Sequence, residues 1–330
     1  MPTVFITDEN STLVKRGERL VINKFGNKAL DIPLIKVKQV IIFGNATITT
    51  SMIDTFLKFE IPVSFLSFNG KFRGRLMPQF SKNSILRKAQ YKASEDRIVC
   101  LEIAKYFVVA KLNNLRTLLL RATRDDRSER AKKVIRELKN IITKAEKVES
   151  LDKLRGYEGL GSRKYFSLFN ELLIDDFTFT KRSRRPPRDE VNALLSFGYM
   201  LLYNEVFNAV SLVGYDPYIG YLHQDEYAKP SLPLDLMEEF RPLIDNLIKR
   251  LINRQIIRPD DFIEKYGTYE LTEKACKSFL QKFEEDFAKE IKHPLFEYKV
   301  TLRRAIELQA RLLGKRLLGE RDKYIPFEVR

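Results

Sequence analysis

The chain has no tryptophan, and only two cysteines and two histidines in 330 residues. Cys100 and Cys276 stand far apart in apolar, helix-like settings. That excludes a disulfide framework and any zinc-ligand spacing, and both read as buried thiols of a reducing compartment. No apolar run approaches the ~20 residues of a spanning helix, so no membrane partner is expected. The opening MPTVFITDEN has no basic segment leading into an apolar one. It is therefore no signal peptide, and the expected location is cytoplasmic. Repeats and low-complexity tracts are absent too. What the chain has in excess is positive charge: 59 Lys and Arg against 44 Asp and Glu, net +15, with a pI near 9.6. Such an excess points to a polyanionic partner, nucleic acid before an acidic membrane, because no lone amphipathic basic helix stands out. The charge-rich, tryptophan-free composition is also that of heat-stable proteins.

The hydrophobic period changes once along the chain. Over residues 1–80, TVFIT, STLVKR, ERLVINK, KALDIPL, VKQVIIFG, IPVSFLS and KFRGRLM are short β-rich runs. Asp8-Glu9-Asn10, Gly26-Asn27, Gly44-Asn45 and Asn69-Gly70 punctuate them, and Asn69-Gly70 is the best hairpin signal. One amphipathic helix interrupts near Thr50 to Phe59. From Ser84 the period is 3.6, beginning with a single long helix to Ala122. A second helix puts Ala131, Val134, Leu138, Ile141, Ile142 and Ala145 on one face. Ser150 and Asp189 are candidate N-caps for the next two. The expected fold is α+β: a small N-terminal β-sheet domain (1–80), then a larger all-helical C-terminal domain (81–330).

Four residues stand out chemically. Glu158 shares a helical face with Leu151 and Leu154, where a carboxylate needs a partner to stay ionised. Gly156, Gly159 and Gly161 surround it, each weakening a helix by ~1 kcal/mol while allowing close backbone approach. The other reading of Glu158 is a plain ion pair with Arg155 or Arg163. His223 ends YIGYLH, whose alternation puts Ile219, Tyr221 and His223 on one face. Asp235 and Glu238 are three apart, so a helix stacks their carboxylates on one side. They also fit a helix start, with Asp235 as N-cap and Glu238 as the capping-box acid. One imidazole with two or three carboxylates suits Mg²⁺ or Mn²⁺ better than a structural zinc. A divalent ion in a basic protein points to phosphodiester chemistry. His293, in KHPLF, reads as a loop residue with no role.

These residues lie in segments that resemble a known family. GYEGLGSRKYF (156–166), RSRRPPRDEVNALLSFGYMLLYNEV (182–206), GYDPYIGYLH (214–223), PSLPLDLMEEFRP (230–242) and the terminal KYIPFEV resemble, in order, blocks of the CRISPR-associated adaptation integrase. The β half is matched in layout only. The resemblance implies a metal triad of Glu158, His223 and Glu238, with an Asp in place of Glu238 in some members. It makes Asp235 an accessory acid or extra ligand and puts Tyr203 near the site. It implies Mg or Mn as cofactor, a homodimer, a small adaptation partner protein and double-stranded DNA as substrate. The expected activity is spacer insertion into a CRISPR array by phosphodiester transesterification. Candidate phosphate contacts are Arg163, Arg182, Arg184, Arg185, Arg188, Lys229 and Arg241; for the basic run KRSRRPPR the alternative is a solvated linker. Two other functions fit the composition: a non-catalytic nucleic-acid-binding scaffold, and a stand-alone repair-type nuclease.

Overall fold

The computed structural model describes residues 2–79, 83–124, 128–174, 176–183, 186–223, 229–293, 295–296 and 298–329. In chain order the first part holds β1 (Thr3–Ile6), β2 (Ser11–Arg16), β3 (Arg19–Lys24), β4 (Asn27–Pro33), β5 (Gln39–Phe43), β6 (Ala46–Ile48), α1 (Thr50–Lys58), β7 (Val63–Leu66) and β8 (Phe72–Leu76). There follow α2 (Ser84–Glu95), α3 (Arg97–Ala122), α4 (Glu129–Glu146), α5 (Leu151–Phe169), α6 (Glu190–Val213), α7 (Ser231–Met237) and α8 (Arg241–Asn253). The chain ends with β9 (Phe262–Lys265), β10 (Thr268–Leu271), α9 (Glu273–Ala288), β11 (Glu290–Lys292), β12 (Lys299–Thr301) and α10 (Leu302–Leu317). Two compact units result: Met1–Phe80 with Glu270–Ala288, and Ser81–Tyr269 with Lys289–Arg330.

The first unit is built on two four-stranded sheets, β1-β5-β7-β8 and β4-β3-β2-β6. β1, β5 and β7 run parallel, and the Asn69-Gly70 turn returns β8 antiparallel to β7. Every residue of the central strand β5 is buried, as a strand covered on both faces requires. Leu13, Leu20, Val40, Ile42, Met52, Phe56 and Val63 meet in its core. Helix α9 joins this unit although it lies some two hundred residues further along. Lys277 Nζ sits 2.9 Å from Asp8 Oδ1, with Lys24 Nζ 3.0 Å from the same oxygen.

The second unit is organised around α3. The middle of this helix is apolar on several faces, as a helix inside a bundle requires, and α2, α4, α5 and α8 all pack on it. Ile103, Ala104, Phe107, Val108 and Leu112 are fully buried. The expected single helix from Ser84 to Ala122 is in fact two. Asp96 stops α2 and caps α3, its Oδ1 accepting from Ile98 N (2.9 Å) and Val99 N (3.2 Å). A short acid that bonds its own downstream backbone breaks a helix that periodicity alone would run through. The expectation of an all-helical C-terminal domain is also corrected: β9/β10 and β11/β12 are two-stranded sheets. Gly267 at positive φ provides the first of their turns.

Two buried polar residues interrupt the apolar surface of α3, Lys111 and Asn114. Asn114 clamps the C-terminal segment. Its Nδ2 donates to Glu239 O (2.8 Å) and Phe327 O (2.9 Å), and its Oδ1 accepts from Val329 N (2.8 Å). The Glu239 carboxyl completes the clamp with Tyr324 OH (2.6 Å), Phe327 N (2.6 Å) and Gln309 Nε2 (3.0 Å). Gln309 Oε1 lies 3.0 Å from His293 Nε2. His293 is therefore not an idle loop residue; it is buried and pins the β11–β12 connection to α10.

Burial drives the Glu239 carboxyl up to about 8, against the hydrogen bonds that favour its charged form. The folded chain then holds a proton that the unfolded chain, near 4.5, has released. Stability should fall as pH rises from about 4.5 to about 8 and level off above. Urea melts of Glu239→Gln across that window should show a flatter slope than the parent; an unchanged slope removes Glu239 as its source.

Candidate functional site

Glu158 from α5, Glu238 at the end of α7 and Lys111 from α3 meet at one buried point. The Lys111 ammonium bonds Glu158 Oε1 and lies 2.7 Å from Glu238 Oε2. Ser162, one turn along α5, donates to Glu158 Oε1 at 3.0 Å. Arg241, at the start of α8, takes the other Glu238 oxygen through Nε at 2.8 Å. For Glu238, burial raises the carboxyl. Arg241, Lys111 and His223 outweigh it and hold the group down at about 2. For Lys111, burial works to strip the proton, but Glu238 and Glu158 win and the ammonium is held above its usual range. The chain reaches this density because α5 comes unusually close to α3. A Cβ on Gly161 would run into Leu112, the neighbour of Lys111. The other two glycines face open space, so the expectation of close approach holds at Gly161 only.

His223 arrives on the segment between α6 and α7. That segment bends rather than alternating as an extended strand. Tyr221 N (2.5 Å) and Leu222 N (2.9 Å) both donate to Asp235 Oδ2, and His223 N (2.9 Å) to Oδ1. Three successive N–H groups converging on one buried carboxylate form an anion nest. Gly220 makes the wrap possible, since a Cβ there would fall 2.7 Å from Ser231 Cβ and 2.8 Å from Asp235 Oδ2. Arg155 Nε donates to Leu222 O at 2.9 Å from outside. The helix-start reading of Asp235 and Glu238 is thus corrected. α7 begins six residues before Met237 with Pro230 as its cap, Asp235 lies inside the helix, and Glu238 ends it.

Asp235 Oδ1 also lies 2.7 Å from His223 Nδ1. A carboxylate only accepts, so Nδ1 carries the proton and Nε2 is the nitrogen whose lone pair is available. Burial pulls the ring's pKa down, but the Asp235 hydrogen bond and charge, with Glu238 behind them, leave it raised.

A further layer holds Arg241. Its guanidinium lies 4.7 Å from the Tyr199 ring centre, with Arg182 on the same ring at 5.6 Å. Tyr199 OH is 2.5 Å from Asp245 Oδ1, and burial lifts that acid to about 6. Tyr203 is one turn further along α6, half-buried, with its ring 6.0 Å from Phe207. Of the candidate phosphate contacts, Arg163 and Arg188 are exposed and Lys229 is half-buried. Arg182 turns inward onto Asn192 Oδ1 (2.7 Å) and Ser196 Oγ (3.1 Å), and Arg241 faces Glu238. Arg184 and Arg185 lie outside the described residues. Sequence reasoning missed Lys111, Tyr199 and Asp245. For Lys111 a signal existed: one cation in the apolar run YFVVAKL.

Among the described residues, no three His, Cys, Asp or Glu side chains converge directly on one point. The acids meet through Lys111. The donor set still fits a divalent cation. Glu238 Oε2 is buried, and the Lys111 ammonium 2.7 Å away is its counter-charge. Two carboxylates and an oriented imidazole are ligands for Mg²⁺ or Mn²⁺.

The family model described as CRISPR associated protein Cas1 matches residues 4–285. The chain is 39% identical to a CRISPR-associated exonuclease Cas4/endonuclease Cas1 fusion of Geobacter sulfurreducens, over 99% of this chain but 60% of that protein. It is 37% identical to a CRISPR-associated endonuclease Cas1 of Thermus thermophilus, over 99% of this chain and 97% of that one. Among solved structures, a CAS1 protein from Thermotoga maritima superposes with a TM-score of 0.84 at 26% identity, covering 97% of each chain. A casposase bound to integration product gives 0.85 at 25%, covering 100% of this chain and 95% of that one. A Cas6-RT-Cas1--Cas2 complex gives 0.84 at 25%, over 98% of this chain and 36% of the other. Agreement this long, in family model and relatives alike, means that the chain belongs to the Cas1 family of CRISPR-associated proteins.

Proposed function

We propose that the chain is a divalent-metal-dependent DNA endonuclease and integrase that inserts short DNA fragments as spacers into a CRISPR array, in antiviral defence. The observation that carries this reading is the convergence of Glu158 and Glu238, from separate helices, on one buried cation position beside an imidazole oriented by Asp235. The relatives named as endonucleases and the casposase neighbour support it.

Glu158, Glu238 and His223 Nε2 would hold the ion, Mg²⁺ or Mn²⁺. Once bound, it supplies a Lewis acid that polarises the scissile phosphodiester and offsets charge building on phosphorus. Arg241 and Lys111 keep the Glu238 carboxylate ionised, and Asp235 fixes the ring and its tautomer. The nucleophile is the 3′-hydroxyl of a DNA fragment. It forms a new P–O bond as the old P–O bond of the target strand breaks, leaving a 3′-hydroxyl there. One ester replaces another, so no energy source is needed. With water as nucleophile the same site hydrolyses DNA. Exposed Arg163 and Arg188 are placed among the backbone contacts, and Tyr203 near the site. A homodimer and a small adaptation partner fit the Cas1--Cas2 assembly of the structural neighbour. Among the described residues no helix is long and apolar enough to cross a membrane, and the proposed location is the cytoplasm.

Glu158→Ala, His223→Ala and Glu238→Ala should each abolish Mn²⁺-dependent nicking of supercoiled DNA and strand transfer into repeat DNA, with the fold retained by circular dichroism. Full activity in any one removes that residue from the triad. A parent protein that binds DNA but never cuts it would be a scaffold. One that cuts but never joins would be a stand-alone nuclease.

Asp235→Asn keeps the size of the side chain but replaces one acceptor oxygen by a donor. The nest and the Nδ1 bond then compete for a single oxygen. Mn²⁺ affinity by calorimetry should weaken by ~10–100-fold, with activity regained at high Mn²⁺. Unchanged affinity would mean that the ring needs no orienting partner.

DNA binding should separate the two ends of the basic run. Arg188→Ala should reduce the slope of log K against log salt by ~0.9 for duplex DNA. Arg182→Ala, whose guanidinium is turned onto Asn192 and Ser196, should change the slope less and lower the melting temperature instead. Equal slopes for Arg188→Ala and the parent would make this residue part of a solvated linker.

A further inference from the structure

Two adjoining carboxylates that wait for a divalent ion, Glu238 buried and Glu158 partly exposed, face a problem when the ion is absent: they repel. The structure assigns the solution to Lys111. We propose that Lys111 is the resident counter-cation of the site, holding Glu158 and Glu238 together without metal and giving up its place when a divalent ion binds. The inference rests on the metal reading above and adds a residue to it.

Three observations carry it. First, Lys111 is the one charged residue among the buried positions of α3. A buried ammonium there has no structural purpose unless its partners need it. Second, its Nζ touches one oxygen of each carboxylate, the position between the two acids. Arg241 does not share that position. It bonds the opposite Glu238 oxygen and is fixed against Tyr199. Third, the buried Glu238 Oε2 meets the Lys111 ammonium at 2.7 Å, a contact made by a rotatable group on a flexible stem. An oxygen held in that way is released to a stronger charge at little cost in geometry.

The chemistry of the side chain agrees. A lysine is a compact point charge on a flexible four-carbon stem, able to withdraw without moving its helix; an arginine fork is not. The charge balance agrees too. Glu158 and Glu238 already face two cations, Lys111 and Arg241. A divalent ion added between the same two carboxylates would lie against an unmoved Lys111 ammonium, and like charges in contact repel. The ion and the ammonium therefore compete for the same two oxygens.

Competition is measurable without DNA or turnover. The full-length parent, Lys111→Met and Lys111→Arg would be melted in chelator and across a Mn²⁺ titration. Lys111→Met should melt lower than the parent in chelator and gain more from Mn²⁺, with an apparent Kd for Mn²⁺ at least ~10-fold tighter. Lys111→Arg keeps the charge and should bind Mn²⁺ no tighter than the parent. A Lys111→Met protein with parental or weaker Mn²⁺ affinity overturns the proposal. If Lys111→Met does not fold in chelator, Mn²⁺ should restore folding where NaCl of equal ionic strength does not; a chain that stays unfolded in Mn²⁺ also overturns it. A parent whose melting Mn²⁺ does not shift would sink the metal reading itself, which distinguishes that failure from the failure of Lys111 alone.

Discussion

The buried array Glu158–Lys111–Glu238–Arg241 is the constraint that the rest of the helical unit serves. Charges taken out of water are costly unless each has a close partner of opposite sign. Here the partners come from four helices, so each helix must be placed to within a bond length. α3 carries Lys111 as the one charged residue among its buried positions. α5 comes close enough only because Gly161 has no side chain where Leu112 packs. α8 begins with Arg241, and Tyr199 and Asp245 stop that guanidinium from swinging away. Loss of a partner leaves the remaining charges less well compensated, most of all at the buried Glu238 and Lys111. The packing of the bundle is thus the means by which the site stays charged.

The end of α7 divides two environments between adjacent residues. Glu238 faces Lys111 and Arg241 and is held at about 2, while Glu239 faces Tyr324, Gln309 and the backbone of Phe327 and is driven to about 8. Both side chains are buried, so burial alone does not separate them. Cations face one and only neutral donors face the other. The consequence is a division of labour within one peptide unit. Glu238 is held as an anion. Glu239 is a largely neutral hydrogen-bonding hub that ties the C-terminal segment to α3 through Asn114. The C-terminal residues Tyr324 and Phe327 thereby brace the turn that presents Glu238.

Much of this was legible in the sequence, and the limits have physical causes. Short alternating runs showed the strands of the first unit, and the 3.6 period showed α4, α5 and α6 with their Ser150 and Asp189 caps. Local patterns sufficed there because local hydrogen bonds and one buried face decide those elements. The break at Asp96 was missed because apolar periodicity runs straight across a capping residue. The C-terminal hairpins were missed because three- to four-residue strands carry almost no period. Glu158, Glu238, His223 and Asp235 were identified from local setting and resemblance, but their arrangement was not. Asp235 looked like a helix cap, since nothing in PSLPLDLMEEF reveals that three N–H groups from residues 221–223 will close around it. The partnership of Lys111 with acids 47 and 127 positions away is a tertiary fact. Its only trace in the sequence is a lysine where the apolar run has no reason for one.

The proposed chemistry places a division between what the buried array decides and what it leaves open. Glu158, Glu238, His223 and their partners would fix a cation position; none of them distinguishes a 3′-hydroxyl from water as nucleophile. Transesterification and hydrolysis differ only in which oxygen is held in line with the phosphorus. An advantage for the hydroxyl must come from holding a DNA end so that its effective concentration exceeds that of water's competing attack. In a chain of net charge +15, the groups available for that task are the surface cations. Joining rather than cutting is then a property of how DNA is held along those cations, and of any second subunit that extends them, while the buried array supplies the same chemistry to both.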